Sequence, residues 1–248
     1  MQEKPEELGA VIALQLARPL GGLSCPIFLR RSAQAMNIHR SISTADKIVA
    51  DIQQGLRSGR LKPGQRLPEP DLMRRYGVSR GPTREAIQRL HAEGVLSLSR
   101  NRGAAIREFS REEMIDVLQV IEAMAGLAAR LVASRIHMPG CRTSFQASLG
   151  ELLAQEEGSS FKAAIQARDD FFSTLMRLSG SLELNRVFPM MQLRIIRLQV
   201  PDSDVEQTRF ADYRTIGRAV LAGDANAAEQ ATRQHLRTAV DVLKRVPL

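Results

Sequence analysis

The chain has 248 residues, enough for two domains at roughly 100 to 200 residues each. Its hydrophobic content of 44% and charged content of 25% are those of ordinary folded proteins, which excludes a wholly disordered or fibrous chain. The formal charge of +8 is concentrated: Arg40 to Arg107 hold 14 Lys and Arg against 6 Asp and Glu, out of 35 and 27 in the chain, so the remainder carries 21 of each. A basic block joined to a neutral remainder predicts one module that faces a polyanion and a second with a different task. A solvated basic face is the alternative reading of charge alone.

Residues 1–40 read as a disordered tail or as a start assigned upstream of Met36. Within them Leu8 to Leu29 is apolar, but Gln15, Arg18 and Pro19 interrupt it and its N-terminal flank is acidic, so neither a signal peptide nor a membrane span is expected. Cys25 and Cys141 have no metal-ligand spacing and cannot build a disulfide framework, which makes a reduced, cytoplasmic setting the expectation.

Over 41–108 the pattern predicts three helices and a hairpin. Ser43 or Thr44 can cap a helix carrying Ile48, Ile52 and Leu56, with Gly59 to stop it. Pro70 suits the start of a second helix with Leu72, Met73 and Tyr76, ended by Gly77. Ser79 is a good N-cap for a third, which runs to Gly94 and puts Thr83, Ile87 and Leu90 on one face and Arg80, Arg84 and Gln88 on another. An Arg or a Gln on such a face can make two parallel hydrogen bonds to guanine or adenine in the major groove. VLSLS and GAAIR then alternate as two short strands around Arg100, Asn101, Arg102 and Gly103, a basic tip suited to phosphate or the minor groove.

The run LPEPDLMRRYGVSRGPTREAIQRLHAEGVLSLSRNRGAAI resembles the winged helix-turn-helix of GntR-type regulators along its whole length. That resemblance implies DNA contacts at Ser79, Arg80, Arg84 and the wing tip Arg100, Asn101, Arg102 and Gly103; Gly81 and Gln88, on the same helix, complete the expected DNA-binding set. Pro70 stands where many members carry a basic residue and Gly81 where Thr is common, so contacts from those two side chains are lost.

From 110 to 246 only helical periods occur, over about 111–136, 142–156, 160–178, 182–199, 204–222 and 224–245, with Ser110 and Glu113 as a cap and Gly223-Asp224 as a stop and restart. The expected fold is therefore mostly α: a winged helix-turn-helix followed by an all-helical bundle. AMAGLAARLVASRI and AVLAGDANAAEQATRQHL resemble the FCD effector domain of the FadR branch of that family. Many FCD domains hold a divalent metal through one Asp and three His; the matching positions here are Arg168, Phe172, Tyr213 and His235, and one imidazole does not hold zinc. Asp169 and Asp170 follow Arg168 and should point elsewhere, because a helix turns about 100° per residue.

His235 reads either as a hydrogen-bonded core histidine or as a pocket residue, and Arg168 either snorkels outward or meets an anion. A metal-independent pocket for an organic anion, a carboxylate or an acyl ester, formed by Arg168, Phe172, Arg194, Tyr213 and His235, is the functional expectation; Arg197 could contribute, with surface pairing the alternative for it and for Arg194. No catalytic set is found: His39 and His91 flank or lie within the basic module, His137 closes a helix, His235 stands alone, and no glycine-rich phosphate loop occurs. The sequence thus predicts a homodimeric, non-enzymatic regulator, a repressor by resemblance, that binds duplex DNA at a palindromic operator and answers to a small effector, with no cofactor and no membrane partner. An enzyme tethered to nucleic acid and a general DNA-coating protein are the other readings.

Overall fold

A computed structural model describes residues 43–100, 103–156, 160–200 and 206–245, so the N-terminal expectations lie outside the described residues. Helix α1 spans Thr44–Arg57 and opens on a capping box: the Ser43 hydroxyl accepts from the Asp46 amide while the Asp46 carboxylate accepts from the Ser43 amide. It buries Ile48, Ile52 and Leu56, the stripe read from the sequence, and Val49 beside them. Helix α2 (Glu69–Tyr76) buries Leu72 and ends at Gly77, whose φ of 63° is the left-handed conformation glycine adopts without a Cβ penalty.

Helix α3 (Arg80–Ala92) buries Thr83, Ala86, Ile87 and Leu90 against α1 and α2. Strands β1 (Leu96–Ser99) and β2 (Gly103–Ile106) then pair antiparallel, Leu96 opposite Ile106 and Ser99 opposite Gly103. A third segment, not anticipated from the sequence, lies beside β2: Ile106 donates its amide to Gln65 O, Leu67 donates to Ala104 O, and Arg66 bridges Ala105. It satisfies the outer edge of β2, which a two-stranded hairpin would leave unpaired.

The remaining described elements are helices: α4 (Arg111–Arg135), α5 (Cys141–Leu153), α6 (Phe161–Ser179), α7 (Leu182–Val187), α8 (Met190–Gln199), α9 (Glu206–Ala222) and α10 (Ala225–Leu243). Ser110 and Glu113 form the expected capping box of α4. The single helix expected over 182–199 is two, because Pro189 cannot donate a backbone hydrogen bond and forces Phe188 out of the helical region to ψ 122°. Helix α4 packs most extensively on α10, and both helices bury small residues: Ala125, Ala128, Ala129 and Ala133 on α4, Ala228 and Thr232 on α10. Small side chains let two helix axes approach closely. On its other side α4 leaves Val120 (55% exposed) and Leu127 (42%) in solvent, in line with half-buried Val117, Met124 and Leu131. The spacing alternates three and four, the period of a coiled-coil stripe.

Candidate nucleic-acid interface and effector pocket

On α3 the sequence faces separate as expected. Thr83 points inward and donates to Ser79 O at 3.1 Å, while Ser79, Arg80, Gly81, Arg84 and Gln88 are exposed. Ser79 occupies the N-cap position, although its side chain makes no capping hydrogen bond. A hollow between α3 and the wing is lined by Arg84, Ile87, Gln88, Leu98, Ser99, Gly103 and Ala104, and a second, on the α2 side, by Pro70, Met73, Arg74, Arg80 and Arg84. Arg100 and Gly103 are exposed at the wing; Asn101 and Arg102 lie outside the described residues.

Two pairings in this module were missed from the sequence, because each joins residues remote along the chain. Arg89 on α3 donates to Asp46 on α1 at 2.6 Å, and this bond, with those to Ser43, lowers the Asp46 carboxyl to about 2. Arg84 donates from Nε to both carboxylate oxygens of Glu69, at 3.1 and 3.2 Å.

In the helical part Arg168, Phe172, Arg194, Tyr213 and His235 are all buried. Four of the five positions are close neighbours along the chain or in space. Arg168 lies one turn before Phe172 on α6, and ring centroids step from Phe172 to Phe171 (5.8 Å), to Tyr213 (5.4 Å) and to His235 (4.5 Å). His235 contacts the Asp212 carboxylate through Nδ1 at 3.1 Å; a carboxylate only accepts, so Nδ1 carries the proton. The donor set does not fit the divalent metal of many FCD domains: a guanidinium, a phenyl ring and a phenol stand at three of the four positions. Among the described residues no three His, Cys, Asp or Glu side chains gather to hold an ion.

Arg194 has a different setting. Its side chain is 1% exposed, and it donates from Nε to Leu56 O at 3.1 Å, from Nη2 to Arg57 O, and from Nη1 to Gln166 and to the Asp169 carboxylate. Asp169, expected to point elsewhere than Arg168, is buried as well and also receives Arg197, whose guanidinium lies over the Phe172 ring at 5.2 Å from its centroid. Helix α8 makes two further contacts of the same kind: Gln192 donates to Glu93 O at 3.0 Å, and Gln199 both accepts from the Phe109 amide (3.0 Å) and donates to its carbonyl (3.2 Å). Gly94, at φ 70°, lets Gln192 approach, since a Cβ there would sit 2.5 Å from its amide nitrogen. The polar residues of LRIIRLQ were visible in the sequence as charges within an apolar helix. Their backbone partners in α1 and after α3 were not.

Burial holds the His235 imidazole below the ordinary value of 6.5, against the opposing pull of Asp212. A histidine whose pKa is lower folded than unfolded takes up its proton preferentially in the unfolded chain, so stability is complete above pH 6.5 and declines as the pH falls below it. The melting temperature should therefore drop on acidification from about pH 7 to about pH 5, and His235→Gln should remove part of that slope. Identical slopes in the two proteins would contradict the assignment.

The family described as "Bacterial regulatory proteins, gntR family" matches residues 44–106, and the FCD domain matches 116–238. The chain is 28% identical over 195 residues to a probable D-xylose utilization operon transcriptional repressor of Paenarthrobacter nicotinovorans, covering 77% of this chain and 83% of that one. It is 26% identical over 201 residues to the HTH-type transcriptional repressor GlaR of Escherichia coli K12, covering 75% and 89%. Among solved structures, a putative GntR transcriptional regulator from Rhodococcus sp. RHA1 superposes with a TM-score of 0.68 at 20% identity, covering 82% of this chain and 99% of that one. E. coli McbR/YncC gives 0.65 at 20% identity, covering 82% and 98%. With a winged helix-turn-helix at one end and an FCD bundle at the other, the chain belongs to the GntR family of bacterial transcription regulators.

Proposed function

We propose that the chain is an effector-responsive repressor that binds a near-palindromic operator as a cytoplasmic homodimer, with 41–108 as its DNA-binding domain and 110–246 as its effector-binding and dimerisation domain. The observation that carries this is the outer face of α3, where Arg80, Arg84 and Gln88 recur once per turn in solvent beside the wing while Thr83, Ile87 and Leu90 hold the helix from behind. Arg80, Arg84 and Gln88 read base edges; Ser79, Gly81 and the wing residues Arg100, Asn101, Arg102 and Gly103 position the backbone. The exposed seam Val120–Leu127 on α4 supports the dimer, because one winged helix buries too little surface to hold a long site tightly. Two of its relatives are named as repressors, which favours repression.

Arg168 with Phe172, Tyr213 and His235 forms a direct, metal-independent receptor for an organic carboxylate or acyl ester. A guanidinium supplies the charge and two parallel donors that a carboxylate needs, and the aromatic side chains supply an apolar wall. Phe172 lies against Arg197, which shares Asp169 with Arg194, so a ligand that displaces the Phe172 ring acts on the contacts to the ends of α1 and α3.

Selection of bound fragments from a random DNA pool at near-physiological salt tests the operator reading: enrichment of two inverted half-sites supports it, and enrichment of a lone half-site or of nothing contradicts it. For the effector, calorimetric titration with a panel of small carboxylates and acyl esters should find a binder whose affinity is unchanged by a chelator and falls about tenfold or more in Arg168→Gln. Affinity that vanishes with chelator, or a panel without a binder, would sink the metal-independent pocket.

A further inference from the structure

Arg84 reaches across to Glu69, fifteen residues earlier and on the preceding helix. Both hydrogen bonds leave from Nε, so the two terminal nitrogens, the pair that meets O6 and N7 of a guanine end-on, stay outside the contact. Glu69 is the first residue of α2, where the helix dipole favours a carboxylate, and its side chain is the more enclosed of the two, 27% exposed against 67% for Arg84. The pair also stands between the two surface hollows of the DNA face, since Glu69 and Arg84 line both.

A carboxylate on a surface that meets phosphates weakens binding to every DNA sequence. An exposed ion pair adds little to folding. Glu69 therefore carries a general cost and no sizeable structural return, and the quantity that can compensate is specificity. An arginine free to rotate loses side-chain entropy when it docks on a base and can reach neighbouring bases as well; one held at Nε presents its fork in one place.

We propose that Glu69 is a specificity-determining residue that positions Arg84 for one base of each half-site, an inference that rests on the reading of Arg84 as a base contact. Glu69 does not itself touch the base. It exchanges general affinity for discrimination at a single position.

The test is a double-mutant cycle on the full chain, with Glu69→Ala, Glu69→Gln, Arg84→Ala and the Glu69→Ala/Arg84→Ala double variant. Each is titrated with the sequence enriched by selection, with its single-base substitutions, and with unrelated DNA, alongside thermal melting. Wild type should discriminate about tenfold or more at the Arg84 base. Glu69→Ala should melt with the wild type, lose most of that discrimination and bind unrelated DNA as well or better; Glu69→Gln, which keeps an acceptor oxygen, should retain part of it. In the Arg84→Ala background Glu69→Ala should no longer change the preference at that base. Unaltered discrimination in Glu69→Ala, an equal loss on all sequences, a lowered melting temperature, or an effect that persists without Arg84 would each overturn the inference while leaving Arg84 as a reader. Uniform weakening by Arg84→Ala itself would instead remove the base-reading role on which it rests.

Discussion

Asp169 holds the buried Arg194 and the part-buried Arg197 at once, and the joint between the winged helix and the bundle depends on it. An α-helix leaves its last four carbonyls without partners, and at the end of α1 two of them, Leu56 O and Arg57 O, accept from Arg194. The guanidinium also complements the negative end of the helix dipole. A buried cation of this kind is tolerable only when compensated, and Asp169 on α6 supplies the charge for Arg194 and Arg197 together. Removal of one member of such a group typically costs about 3 to 5 kcal/mol, because an uncompensated charge is left behind.

The joint is built from side chains on α8 to backbone atoms beyond it. Gln192 takes the carbonyl of Glu93, the C-cap residue of α3; Arg194 takes the end of α1; Gln199 takes both polar groups of Phe109 at the connection. Backbone partners are present whatever side chains the winged helix carries, so the exposed face of α3 can vary without loss of the joint. Both helices addressed at their C-terminal ends lie in the DNA module, and one of them presents Arg80, Arg84 and Gln88. Helix α8 is short, and its separation from α7 at Phe188-Pro189 leaves it as an independent strut.

Much of this fold was legible from local signals. The stripe Ile48, Ile52, Leu56, the caps Ser43 and Ser110, the left-handed Gly77 and the alternation of the wing each depend on residues within a few positions, and the packing on each helix follows from them. The two faces of α3 were legible for the same reason. Contacts between remote residues were not: Glu69 with Arg84, Asp46 with Arg89 and the strand-like pairing at Arg66 leave no periodic trace. Asp169 escaped because helical geometry placed it off the Arg168 stripe, whereas α6 is enclosed broadly enough that Arg168 and Asp169 are both buried. Arg194 was expected to line the pocket or to pair at the surface; the two carbonyls that accept from it belong to a helix more than a hundred residues earlier.

Amide hydrogen exchange on the intact chain tests the joint most directly. Arg194→Met removes the contacts to Leu56 O and Arg57 O while Arg197 stays to balance Asp169. If α8 fastens the DNA module through these carbonyls, exchange should accelerate in the last turn of α1 and at the α3–β1 turn, with α4 and α10 unchanged. Wild-type exchange at both sites would contradict the account.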